Sequence, residues 1–163
     1  MVCTNVPPTG VGDEKGMVPM NVHAILSVKG SDVATIAPDA SIGAAVAELG
    51  ERKVGALVVS ANTTTIDGII SERDIVRRLA DDGPATLDEP VSAAMSASVV
   101  TCQENDTVND LMVLMTGQRF RHLPVVDDAG TLAGIISIGD VVKFRLDELQ
   151  AENDDLYGYI QGR

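Results

Sequence analysis

Two serine–aspartate pairs at matched positions are the residues of this chain best suited to binding chemistry. Ser71 precedes Asp74 by three residues, and Ser137 precedes Asp140 by the same interval. Each serine ends a short apolar run and opens a helical pattern, so its hydroxyl and the free helix amides can converge on phosphate. The carboxylate offers acceptor oxygens that suit a ribose diol, and the apolar run suits a base. These groups predict a nucleotide site; the alternative is that each pair only caps its helix.

Basic residues cluster near these pairs although the chain is strongly acidic. The 163 residues contain 12 Lys and Arg against 24 Asp and Glu, which gives a net charge of −12. Guanidinium groups bind phosphate oxygens in pairs, so a cluster of arginines favours an anionic ligand. Arg78 is more simply interpreted as a solvated helix charge. Seven of the cations lie in the two predicted helices that the serines open or just before an apolar run at 123–126: Arg73, Arg77, Arg78, Arg119, Arg121, Lys143 and Arg145.

The composition argues against several classes of protein. A nucleic-acid partner needs clustered excess positive charge, which the acidic balance opposes. No apolar run reaches the roughly 18–20 residues of a membrane span, and the N-terminus lacks the pattern of a secretory signal. Cys3 and Cys102 are too few for a disulfide framework or a thiolate zinc site, which fits a reducing cytoplasm. The sequence also lacks phosphate-loop, dinucleotide, zinc-protease and nucleophile-elbow motifs, so we expect neither an enzyme nor a metal site.

The chain repeats itself in a constant register. The segment GIISERD at 68–74 recurs as GIISIGD at 134–140, and the same register holds upstream without a gap. Of the 44 positions from 33 to 76, 11 are identical to their counterparts. One such unit exposes an apolar sheet face that it cannot cover alone. We therefore expect the two copies to pack against each other.

Each copy has the local pattern of a β-α-β-β-α unit. Strands are predicted at 33–36, 56–59 and 68–71, and again at 99–102, 122–126 and 134–137. Asp39 or Ser41 caps the first helix of one copy, and Asp106 or Thr107 caps its counterpart. The predicted buried stripes of these helices are Ile42, Ala45, Val46 and Leu49 in one copy, and Val108, Leu111, Met112 and Met115 in the other.

These patterns divide the chain into five parts. We expect a disordered extension at 1–20, a first repeat at 21–84, a linker at 85–98, a second repeat at 99–148, and an acidic amphipathic helix and tail at 149–163. Met1, Met17 and Met20 are each candidates for the biological start. The expected fold class is α/β (α+β), with the two repeats packed sheet to sheet as a pseudo-twofold pair.

The two G-I-I-S-x-x-D segments at fixed spacing resemble the tandem CBS domain pair, or Bateman module, named after cystathionine beta-synthase. Residues 121–127 (RHLPVVD) are similar to the family's second-strand signature. The resemblance implies a stand-alone regulatory module for energy sensing or signal transduction, acting in trans on an unknown protein. Its implied ligand is adenosine-containing, AMP first, with ADP, ATP, NADH and S-adenosylmethionine as alternatives. It also implies a homodimer, a flat disc of four CBS units.

The resemblance further implies two sites, each built across the pair. They differ at two adjacent positions: the second copy has Arg121 and His122 where the first has Gly55 and Ala56, which leaves site two without a cation there. We therefore favour site one for occupancy. His122 is interpreted as a packed core histidine or as a phosphate donor that strengthens at low pH. Site one comprises Ile70, Ser71, Arg73, Asp74, Thr101, Phe120, Arg121 and His122; site two comprises Thr35, Val54, Gly55, Ala56, Ile136, Ser137, Gly139 and Asp140.

Other functions remain open at this point. The chain could be a ligand-free scaffold that docks a protein through its disc face and its C-terminal helix. It could also be a redox sensor that acts through Cys102, although a cysteine inside a strand is more often a small buried hydrophobe. A DNA-binding regulator is disfavoured by the net charge.

Overall fold

The computed structural model describes residues 20–161, which form two three-stranded sheets and five α-helices. The extension expected over 1–20 therefore lies outside the described residues, apart from Met20. Within the described part, no helix is both long enough and apolar enough to cross a bilayer. In chain order the elements are α1 (Val22–Lys29), β1 (Thr35–Ile36), α2 (Ile42–Arg52), β2 (Ala56–Val59), β3 (Gly68–Ser71), α3 (Glu72–Asp82), two 3-10 helices (Pro84–Asp88 and Val91–Ala93), β4 (Cys102–Gln103), α4 (Val108–Gln118), β5 (His122–Val126), β6 (Leu132–Ser137) and α5 (Ile138–Gln161).

The two sheets have the same topology, as the repeat predicts. In each, the first strand is parallel to the second and the second is antiparallel to the third. Leu57 pairs with Ile70 in one sheet, and Leu123 pairs with Ile136 in the other, so equivalent positions of the repeat form equivalent pairs. All four side chains are buried at 1% exposure or less. The predicted fold class, α/β (α+β) with two tandem β-α-β-β-α repeats, is confirmed.

Local sequence signals predict where α2 and α4 begin, but they do not predict every strand boundary or every buried helix face correctly. Ser41 and Thr107 are the N-caps, and each side chain accepts a hydrogen bond from the amide three residues on. Val46 was expected in a buried stripe but is 44% exposed, because α2 buries only the narrower face of Ile42, Ala45 and Leu49. The first strand of the second repeat also differs: β4 starts at Cys102, where pairing with β5 begins.

The segment that comes before the strands of each repeat packs into the hydrophobic core of the other repeat. Helix α1, which the sequence patterns did not predict, buries Val22, Ile25 and Leu26 in the core of the second repeat. The segment between the repeats contributes Val91 to the first core, with Met95 packed at its edge. Both halves of the chain therefore build both cores.

The crossed segments are held by equivalent hydrogen bonds. The Val22 amide donates to the Asp106 carbonyl at 3.0 Å, and the Val91 amide donates to the Ala40 carbonyl at 2.7 Å. The two acceptors occupy equivalent positions of the repeat. The two donors do not, because the register of the repeat would match Val22 with Asp88 rather than with Val91. The segment before the second repeat is therefore displaced along the chain relative to the segment before the first.

The motif glycines Gly68 and Gly134 lie beneath these crossed segments. A Cβ atom on Gly68 would lie 2.6 Å from the Met95 sulfur and 3.0 Å from the Ser96 carbonyl oxygen. A Cβ atom on Gly134 would lie 2.9 Å from the flexible end of Leu26. The glycine that opens each G-I-I-S strand is thus required by close packing of the segment that crosses over it.

We expect Gly68→Ala to lower the free energy of unfolding by about 1–3 kcal/mol, because the added methyl overpacks against backbone that cannot move aside. Gly134→Ala should cost less, since Leu26 can change rotamer. Gly50→Ala is the matched control: that glycine lies in α2 with open space around it, so alanine should be neutral or stabilising. Urea denaturation of the three variants measures this, and equal values for Gly68 and Gly50 would contradict the packing argument.

Candidate functional site

Both serine–aspartate pairs cap the helices that follow them. The Asp74 Oδ2 atom accepts hydrogen bonds from the Ser71 amide at 2.9 Å and the Ser71 hydroxyl at 2.6 Å. The Asp140 Oδ2 atom accepts the equivalent bonds from Ser137, at 2.7 and 2.8 Å. The capping role considered from sequence is therefore real. Among residues 20–161, the Asp74 Oδ1 atom has no hydrogen-bond partner, so capping leaves this acceptor available to a ligand.

The first pair opens onto a cavity of about 420 Å³ where the two repeats meet. Its wall combines the start of α3, the chain before β4, and the turn between α4 and β5. Six of the eight residues predicted for site one line it: Ser71, Arg73, Asp74, Phe120, Arg121 and His122. Ile70 is instead fully buried in the first core, and Thr101 lies outside the lining. Val99 and Val100, which precede Thr101 in the chain, line the cavity.

Four arginines line this cavity without a carboxylate partner in the described part of the chain: Arg73, Arg77, Arg119 and Arg121. By contrast, Arg52, Arg78 and Arg145 all form ion pairs with Asp or Glu. Arg77 and Arg119 belonged to the basic cluster seen in the sequence, but the family positions did not include them. In so acidic a chain, four cations without partners in one cavity create a strong local preference for an anion.

The second pair lies beside a larger cavity, of about 750 Å³. Four of the eight residues predicted for site two line it: Val54, Gly55, Ala56 and Ser137. Thr35, Ile136, Gly139 and Asp140 do not, and Ile136 is fully buried. The cations of this cavity were missed: Lys29, Arg52 and Lys53. Lys29 could not be placed from the sequence, because it lies in the unpredicted helix α1.

Lys29 binds the aspartate of the second pair directly. Its ammonium contacts Asp140 Oδ2 at 2.5 Å and donates to the Ile135 carbonyl oxygen at 2.9 Å. Partial burial alone would raise the pKa of Asp140, but the hydrogen bonds from Lys29 and Ser137 outweigh it and lower that pKa below its ordinary value. Asp140 is therefore a paired carboxylate at neutral pH.

His122 lies between the two cavities and lines both. Its Cε1 atom is 3.3 Å from the position that a Cβ atom would take on Gly55, so the imidazole packs across the junction of the repeats. Burial, with a further contribution from Lys29, lowers the pKa of His122, although Asp140 and Glu72 oppose the shift. The ring is therefore packed and neutral at pH 7. In residues 20–161, no three His, Cys, Asp or Glu side chains are grouped to hold a metal ion.

Cys102, the candidate redox sensor, lines neither cavity. Cys102 is 3% exposed, and its sulfur lies 3.8 Å from the Pro124 carbonyl oxygen. Redox sensing needs an accessible thiol of lowered pKa, so this position does not favour it.

Comparisons with known proteins point in one direction. A family model described as "CBS domain" matches residues 27–81 and 91–147. The crystal structure of a CBS-domain protein, ATU1752 from Agrobacterium tumefaciens, is 51% identical, has a TM-score of 0.73, and aligns with 77% of this chain and 98% of that one. The mitochondrial CBS domain-containing protein CBSX3 of Arabidopsis thaliana is 36% identical over 76% of this chain and 62% of its own length. A CBS domain protein from Pyrobaculum aerophilum, PAE2072, solved with AMP, is 27% identical with a TM-score of 0.66, over 74% of this chain and 88% of that one.

The buried His122 should make stability depend on pH in a defined direction. Its folded-state pKa is below the ordinary value of 6.5, so the unfolded chain binds the proton first as the pH falls. The wild-type advantage over His122→Gln should therefore be largest at pH 8 and shrink as the pH drops below about 6.5. Urea denaturation of both proteins from pH 8 to pH 5 measures this. A constant difference would mean that His122 has the same pKa in both states.

Proposed function

Because the chain belongs to the CBS domain family, we propose that it is a regulatory module that binds an adenosine nucleotide in the cavity beside Asp74. One observation carries the proposal: an uncommitted carboxylate oxygen lies in the same cavity as four arginines without acidic partners. The carboxylate suits a ribose diol, and the guanidinium groups suit phosphate. The cavity volume of about 420 Å³ is in the usual range for small-molecule sites.

AMP is the first ligand that we propose. The Pyrobaculum aerophilum relative was solved with AMP, which supports an adenine nucleotide at the same place in this chain. ADP, ATP and NADH carry more phosphate, and four arginines could bind it. S-adenosylmethionine has no phosphate and carries a sulfonium cation, so the arginines favour it least.

A nucleotide in this cavity would contact both repeats at once. Asp74 belongs to the first repeat, whereas Phe120 and Arg121 belong to the second. Ligand at 100 times its dissociation constant would stabilise this joined state by about 2.7 kcal/mol. We propose that a protein partner in the cytoplasm reads that change. The competing hypothesis of a ligand-free scaffold does not explain why four arginines in this cavity lack acidic partners.

We also propose that a second copy packs along helix α5. Beyond Glu148 the described side chains of this helix are all exposed, and an isolated helix of that length is marginal in water. Val142, Leu146, Leu149, Asn153 and Leu156 recur at spacings of four and three residues, the pattern of a coiled-coil seam. Asparagine at such a position pairs with its own copy and favours two strands.

Asp74→Asn should weaken nucleotide binding by about ten- to hundred-fold, because the ribose loses a charged acceptor while the amide oxygen can still cap α3. Calorimetric titration with AMP, ADP, ATP, NADH and S-adenosylmethionine measures this. Asp110→Asn is the matched control: Asp110 accepts a hydrogen bond from the hydroxyl of its capping residue Thr107, as Asp74 does from Ser71, but it lines neither cavity. Equal affinity in the wild type and Asp74→Asn, or no binding of any of these ligands, would overturn the proposal.

Leu149→Glu should convert a dimer to a monomer, because it places a charge in the seam of α5. Val113→Glu is the control, since Val113 is an exposed apolar residue on a different helix. Sedimentation velocity distinguishes the two states. A wild-type monomer, or a Leu149→Glu variant that remains dimeric, would contradict the proposed contact.

A further inference from the structure

The two serine–aspartate sites are equivalent in backbone but not in what surrounds the carboxylate. Each aspartate receives the same two bonds from its serine. Only Asp140 also binds an ammonium group, that of Lys29 at 2.5 Å. Among the described residues, Asp74 forms no ion pair. The difference lies in the crossed segments and not in the repeats themselves.

The position of Lys29 follows from the packing of helix α1. Buried Leu26 fixes the last turn of that helix against Gly134, so the lysine one turn later is carried to the end of β6. There its ammonium bonds the Ile135 carbonyl. In the first repeat the equivalent carbonyl, of Ile69, is bonded instead by the backbone amide of Ser96 at 2.9 Å.

The residue that corresponds to Lys29 in the other half is Ser98. The equivalent hydrogen bonds of Val22 and Val91 align the two crossed segments, and counting onward from this pair brings position 29 onto position 98. Ser98 lines the first cavity, as Lys29 lines the second. Serine has neither the length nor the charge to neutralise an aspartate, which leaves Asp74 available.

The charges of the second cavity are also largely matched within the chain. Lys29 is paired with Asp140, and Arg52 with Glu48 and Asp32. Of the three cations that line it, Lys53 alone lacks an acidic partner in the described part of the chain. This cavity therefore lacks the group of unpaired guanidinium ions that lines the first, and the aspartate of its serine–aspartate pair is neutralised by Lys29.

We propose that Lys29 acts as an internal plug of the second site, so that each chain binds one nucleotide, beside Asp74, and not two. This inference rests on the proposed nucleotide function. Lys29 binds Asp140 Oδ2, the oxygen that also accepts from Ser137, and it neutralises the carboxylate. A ribose hydroxyl would therefore meet a weaker acceptor at Asp140 than at the unpaired Asp74, because hydrogen bonds to an ionised, unpaired carboxylate are the stronger ones. The second site is thereby weakened by about ten- to hundred-fold relative to the first.

Calorimetric titration with AMP tests the inference through stoichiometry. The wild type should bind one AMP per chain, and Lys29→Ser should bind two, because it leaves at position 29 the residue type found at position 98. Lys53→Ser is the matched control: it removes the same charge from the same cavity but leaves the contact between Lys29 and Asp140 intact, so one AMP should bind. Adding Asp140→Asn to Lys29→Ser should return the stoichiometry to one. Lys29 is exposed at the end of a helix, and thermal denaturation of each variant verifies its fold.

The outcomes separate this inference from the proposed function. Two AMP per wild-type chain, or one per Lys29→Ser chain, would overturn the plug while leaving nucleotide binding established. A second binding event that survives in Lys29→Ser with Asp140→Asn would place the added site elsewhere and would also overturn it. Absence of binding to the wild type by AMP and by the other nucleotides would overturn the proposed function, and the plug with it.

Discussion

The exchange of segments between the repeats is the constraint on which the rest of the structure depends. Val22, Ile25 and Leu26 fill the second core, and Val91 fills the first, so neither repeat can complete its core from its own sequence. Burial of side chains of this size stabilises a fold by about 1.5–3 kcal/mol each. The exchange also holds the two repeats together, and residues of both repeats line each cavity.

The capping of the helices is what gives this scaffold its chemistry. Ser71 and Ser137 hold the aspartates in one orientation through their amides and hydroxyls, so that a single oxygen of each carboxylate is used for structure. A residue that caps a helix can therefore also face a ligand. The structural and functional interpretations of these pairs are complementary, because a carboxylate has two oxygens and the cap needs one.

Symmetric packing and asymmetric charge coexist in the same molecule. The sheets, the caps and the motif glycines obey the repeat, whereas the cations do not. Arg121 and His122 replace Gly55 and Ala56, and Lys29 has a serine as its counterpart. Core positions must keep their size for both halves to pack, but surface charges at the cavities can diverge freely. Duplication thus provides two similar cavities, and charge distinguishes them.

Phe120, Arg121 and His122 were expected at the first site only because of the family resemblance. The sequence by itself determined the duplication and the order of elements along each copy, and it narrowed the two N-caps to pairs of candidates that include Ser41 and Thr107, because these follow from local pattern and a repeated motif. It did not determine helix α1, the exposure of Val46, or the contact of Lys29 with Asp140. Those depend on side chains distant in the chain; Lys29 and Asp140 are 111 residues apart. Only the packed tertiary structure brings such groups together, since neither residue alters the local periodicity of the other.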